Sequence, residues 1–138
     1  MSIMRKIQAL ILGLAVVGPA QSSAQHWPIS PSERVQVFAT CAGRLSALVE
    51  HQRTIGGSVS DQTEAQRGGF EALLTAVIPD ALEYGLPDTQ ALDWRLHAKL
   101  AQSRLLMRAD FYRDATIKAK ARAAADAFLR ECDQFLLG

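Results

Sequence analysis

Cysteine is scarce in this chain, with two residues among 138. So small a number excludes a disulfide-dense miniprotein and a four-cysteine zinc site. The absence of a Cys-x-x-Cys pair removes the usual dithiol redox centre and covalent haem attachment. An excess of one charge is also lacking. Lys+Arg 15 stand against Asp+Glu 14, which leaves neither a basic footprint for nucleic acid nor an acidic tail. No glycine-rich phosphate loop, nucleophile elbow or H-E-x-x-H occurs. The longest apolar run, Ile7 to Val17, rises at about 1.5 Å per residue and falls well short of a hydrocarbon core of about 30 Å. What the chain does have is 49% hydrophobic residues. That is too apolar for disorder, and the length suits one domain and not two.

The N-terminus reads as a secretory signal. Arg5 and Lys6 give a positive start, the apolar run follows, Gly18 and Pro19 break it, and small residues end at Ser22-Ser23-Ala24. Signal peptidases select small side chains at the third and first positions before the cut, which places cleavage after Ala24. Residues 1–24 are then a signal peptide and residues 25–138 a helical domain. No cysteine follows the run to take a lipid, and no twin-arginine pair is present. Cleavage removes Arg5 and Lys6 and no acid, leaving 13 basic and 14 acidic residues (15 − 2 against 14). The address expected is the bacterial periplasm or the exterior. The abundance of alanine, and of arginine over lysine, fits a GC-rich bacterial gene.

Beyond the signal, four segments carry a helical period and none a strand alternation. Ser30-Pro31-Ser32-Glu33 has the form of a capping box with proline at the first helical position. Val35, Phe38, Ala42, Leu45 and Val49 then form one stripe, and Gly56-Gly57 ends it. Asp61 followed by Glu64 is a second capping signature, ahead of Phe70, Leu73, Leu74 and Val77. Gly68-Gly69 inside this segment predicts either a late helix start or a close backbone neighbour. Pro79 is expected to stop the helix, leaving Asp80 to Gly85 as a turn or short helical piece. Asp88 is placed to cap a third helix. A fourth runs from Asp114 or Ala115, with Ile117, Ala121, Ala124, Ala125, Phe128, Cys132 and Phe135 on one face. Short connections between four helices predict a small antiparallel bundle.

Cys41 lies about 15 Å from the start of the first helix and Cys132 about 9 Å from the end of the last, at 1.5 Å per residue. Packed antiparallel, the first and last helices bring the two sulfurs to similar levels. In an exported chain with two cysteines, this predicts a Cys41–Cys132 disulfide that staples the fold.

The polar residues supply few chemical constellations. His26, His51 and His97 have no ligand-type partner one helical turn away, so no metal site is expected. His97 should be a half-buried residue at the edge of the Trp94 face. Haem would need axial ligands from His51, His97 or Met107, and Met107 lies in an apolar stripe. No cofactor is therefore expected. Arg44, Arg95, Lys99, Arg104 and Arg108 with Glu50 and Glu64 are of the kind that lines an anion pocket between helices. In that respect the chain resembles the all-helical exported chorismate mutases, a likeness of architecture and not of arginine spacing. No activated catalytic group is identifiable, so a non-enzymatic protein is the leading expectation and a small-molecule-binding or enzymatic bundle the alternative.

The third helix carries the strongest functional signal. At about 100° per residue, Trp94, Ala98, Ala101, Leu105 and Tyr112 share one side, while Leu92, Leu96, Leu100, Met107 and Phe111 fall roughly opposite. A bundle helix needs one apolar stripe, and this one has two. If the Trp94 side enters the core, then Leu96, Leu100, Met107 and Phe111 form an exposed contact surface for a protein partner or a second copy. If the Asp80–Gly85 segment or the arm bearing Trp27 covers them, the helix is central instead. A weaker hint is Ala39, Gly43 and Ala47 at four-residue spacing on the first helix, which would permit a close helix approach.

Overall fold

The computed structural model describes residues 30–136; the expected signal segment, His26 and Trp27 lie outside them. Four helices follow in order: α1 Pro31–Thr54, α2 Asp61–Glu83, α3 Gln90–Phe111 and α4 Ala115–Leu136. No strand occurs among the described residues. The fold is an all-α four-helix bundle in which Cys41 of α1 is disulfide-bonded to Cys132 of α4, their Cα atoms 5.6 Å apart.

The helix ends show how far local chemistry reaches. At α1 the capping box is complete: the Glu33 N–H donates to Ser30 Oγ and the Ser30 N–H donates to the Glu33 carboxylate. The same helix ends with Gly56 at φ 76°, its N–H on the Arg53 carbonyl and that of Gly57 on the Gln52 carbonyl. Gly85 (φ 89°) ends α2 with the same paired bonds, to Leu82 and from Leu86 to Ala81. This crossed pattern satisfies two otherwise orphaned carbonyls and needs the left-handed backbone that glycine adopts freely.

Three expected boundaries are displaced. The cap of α2 is Ser60, not Asp61, because Ser60 is already extended and its hydroxyl accepts from the Thr63 N–H. Asp61 moves into the first turn, where its charge suits the helix dipole. Asp88 does not cap α3; Thr89 stands at that position without a side-chain bond. Pro79 does not stop α2, which continues to Glu83. Thr75, whose carbonyl loses the proline's missing donor, and Pro79 itself are both exposed. Water can serve that carbonyl, while fully buried Ala81 draws the last turn onto the core.

The core belongs to α1. Eleven of its 24 residues are buried, among them Ser46, His51 and Gly43 as well as the expected apolar stripe. It packs most extensively on α3, then on α2, while α4 leans on α3 and meets α1 along the disulfide. The α1–α3 crossing is a backbone approach. A methyl group on Gly43 would overlap the carbonyl oxygen of Arg95 and lie 3.1 Å from the Lys99 nitrogen. Ala39 and Ala47, one turn to either side, are both completely buried. The Ala39, Gly43, Ala47 row is therefore the surface that admits α3. Contacts advance together along α1 and α3, from Gly43 beside Arg95 to His51 beside Asp110. Between α3 and α4 they run in opposite senses, with Gln102 bonded to the Ala125 carbonyl and Asp110 to Arg122.

Candidate functional site

α3 is seated about 80° away from the orientation that hydropathy favours, counting about 100° per residue. Its buried residues are Gln102, Leu106 and Ala109. Trp94, Ala98, Ala101 and Leu105 are only half-buried, and Tyr112, expected inward, is exposed at the helix end. The cause is the close crossing with α1. The part of α3 beside Gly43 carries Arg95 and Lys99, whose backbone atoms make the contact while their long side chains leave it sideways. His97, expected half-buried, is exposed.

One consequence is an exposed apolar row along α3. Leu92, Leu96, Leu100, Met107 and Phe111 are each 46–55% exposed. A shallow groove of about 420 Å³ is lined by Leu100, Ser103, Arg104, Met107, Arg108 and Tyr112. Phe111 is steadied at its inner edge by an edge-on contact with the His51 ring, centroids 6.2 Å apart. The flank of the row is charged at both ends, with Asp93 exposed near the N-terminus of α3 and Arg104 and Arg108 exposed toward its C-terminus.

The second consequence is a cationic cleft of about 280 Å³ between α1, α2 and α3. Arg53 comes from α1, Arg67 from α2, and Arg95 and Lys99 from α3, above an apolar wall of Val49, Leu92 and Leu96. Three of the cations share two carboxylates. Glu64 holds Arg53 and Arg67, each at 2.8 Å, and Glu71 holds Arg67 at 3.2 Å and Arg95 at 2.6 Å. Lys99 pairs with Glu50 at 2.5 Å. The Glu64 carboxylate raises the pKa of Arg67 above its ordinary value. Of the basic residues that suggested an anion pocket, only Arg95 and Lys99 line this cleft. Arg104 and Arg108 border the α3 row. Arg44 lies on another side, donating to the Phe128 carbonyl and Glu131 while its guanidinium covers the Phe128 ring at 4.3 Å. Hydropathy spacing could not find Arg53 and Arg67, because they come from different helices and meet only through the packing.

His51, mostly buried, bonds Asp110 through Nε2 at 2.5 Å, and Asp110 also pairs with Arg122. The bond from His51, reinforced by the Arg122 charge, lowers the pKa of the Asp110 carboxyl despite its partial burial. This network ties α1, α3 and α4 together at one end of the bundle. Among the described residues no group of three or more His, Cys, Asp or Glu side chains converges to hold a metal. None of their helices is long and apolar enough to cross a membrane. Comparison with protein-family models, curated proteins and solved structures finds no match to this chain.

Proposed function

We propose that the chain is an exported, signal-cleaved helical protein of the bacterial envelope with a non-enzymatic role as an interaction subunit, which associates with a second copy of itself through α3. The observation that carries this reading is the exposed row Leu92, Leu96, Leu100, Met107 and Phe111. Apolar side chains aligned on one helix cost free energy in water and return it on association, at about 25 cal/mol per Å² removed from solvent.

The arrangement of charge favours a second copy as the occupant. In a twofold pairing of α3 against α3, run antiparallel and centred near Ala101, Leu92 lies toward Phe111 of the other copy and Leu96 toward Met107. Asp93 of each copy then approaches Arg108 of the other, so one patch is its own complement, as twofold symmetry requires. Rim charges of this kind fix register more than they add affinity.

Sedimentation velocity of the mature protein over a concentration series tests this. The expected result is a reversible monomer–dimer equilibrium that Leu100→Glu abolishes with helical content unchanged. Asp93→Arg should weaken it, and adding Arg108→Asp should restore it. A monomer at every concentration overturns the reading, as does a dimer indifferent to Leu100→Glu. Early melting of Leu100→Glu would show that the row stabilises the single bundle instead.

A further inference from the structure

We infer that the cleft between α1, α2 and α3 binds a small amphiphilic anion, one that carries a phosphate or carboxylate on an apolar body. This goes beyond self-association and does not depend on it, although Leu92 and Leu96 border both surfaces.

The charge balance of the cleft supports an anion. Arg53, Arg67, Arg95 and Lys99 face Glu50, Glu64 and Glu71, an excess of one positive charge in a concave site. Each guanidinium has five N–H donors. The Arg53 and Arg95 ion pairs engage one terminal nitrogen each, Arg53 on Glu64 and Arg95 on Glu71. Donors from two helices thus remain for a third acceptor, and planar guanidinium groups suit the oxygens of phosphate and carboxylate.

The apolar half of the ligand follows from the other wall. Leu92 and Leu96 are about half exposed and line the same cavity as the cations. Inorganic phosphate would meet the cations and leave the leucines wet. An anion with an aryl or alkyl body covers both. A volume of about 280 Å³ lies at the small end of ligand sites, which limits the body to about one ring. Lys99 is positioned as the adjustable member. Its partner Glu50 is 56% exposed, so water can take over that carboxylate when the ammonium turns to a ligand.

The test is calorimetric titration of the mature protein in the Leu100→Glu background, which separates the cleft from self-association. The probes are phenyl phosphate, inorganic phosphate and benzyl alcohol. Phenyl phosphate should bind saturably, at least about tenfold tighter than inorganic phosphate, and weaken as salt is raised. Benzyl alcohol should not bind. Arg95→Gln should weaken phenyl phosphate by about tenfold or more with the helical spectrum unchanged, as expected when a charge-assisted hydrogen bond is lost. Leu92→Ser should weaken phenyl phosphate and leave inorganic phosphate unaltered. Absence of saturable phenyl phosphate binding overturns the inference. So does equal binding by Arg95→Gln, or phosphate binding as tightly as its phenyl ester.

Discussion

The first and third helices are nearly equal in length, 24 and 22 residues, yet α1 buries eleven of them and α3 three. By composition the roles look reversed. α3 has Trp94, two apolar faces and a row of leucines, whereas α1 places glycine, alanine, serine and histidine at many of its buried positions. What separates them is how closely another backbone can come. Gly43 lets α3 settle against α1 until the Arg95 carbonyl fills the space where a side chain would stand. The neighbouring alanines extend that close approach along the helix. Of the large side chains on α3, Gln102 and Leu106 reach the interior, while Trp94 and the leucine row are left at the margin or in water. Centrality in this bundle comes from small size at the crossing and not from greasiness, because dispersion contacts between closely spaced atoms add up over the whole seam.

The comparison can be broken most severely at the staple between α1 and α4. Cys41→Ser with Cys132→Ser removes a crosslink spanning 91 residues of sequence. The loss should be about 4 kcal/mol, measured by urea denaturation under two-state analysis. If helical content and the α1–α3 contacts survive below the transition, α1 is central through packing alone. Next in size is Gly43→Ala, which forces α1 and α3 apart and should cost about 1–3 kcal/mol by overpacking. Ala substitution at a merely helical glycine would stabilise instead, so the sign of this one measurement decides the role of the crossing.

Acid should loosen the α1–α3–α4 network at the far end of the bundle. Asp110 has a lowered pKa through its His51 bond, so its contribution is fully present above the ordinary carboxylate value of about 3.9 and is lost as pH falls through the lower folded value. Asp110→Asn should flatten that part of the acid unfolding curve and lower stability at neutral pH. The smallest effect expected is a gain. Gly68 is exposed within α2 and an added methyl meets nothing within 4 Å among the described residues outside its own helix. Gly68→Ala should therefore raise stability by about 0.5–1 kcal/mol. Opposite signs at Gly43 and Gly68 would sharpen the contrast between a glycine required by packing and one merely tolerated.

Local signals were legible wherever the chemistry was local. The Ser30–Glu33 capping box, the glycine end of α1 and the Asp114 start of α4, where the Ile117 N–H meets the aspartate, each depend on residues within one turn. The same reasoning erred where another helix supplied the energy. Pro79 lies inside α2 because Ala81 has a core to enter, and Gly68-Gly69 marks neither a late start nor a backbone contact. Outside its own helix and among the described residues, a methyl added at Gly69 would meet only the Leu136 side chain, at 3.5 Å. Of the candidate surfaces, the α3 row was visible from periodicity, whereas the cleft was only half visible, with Arg95 and Lys99 named and Arg53 and Arg67 missed.

By itself, then, the sequence determined the helical class, the number of helices, both ends of α1, the start of α4 and the Cys41–Cys132 pairing, since these follow from capping chemistry, apolar period and two cysteines at compatible heights. Tertiary structure decided which helix is central, how α3 is rotated and which cations share a cleft. Those outcomes depend on distances between backbones, which small residues set and hydropathy does not record.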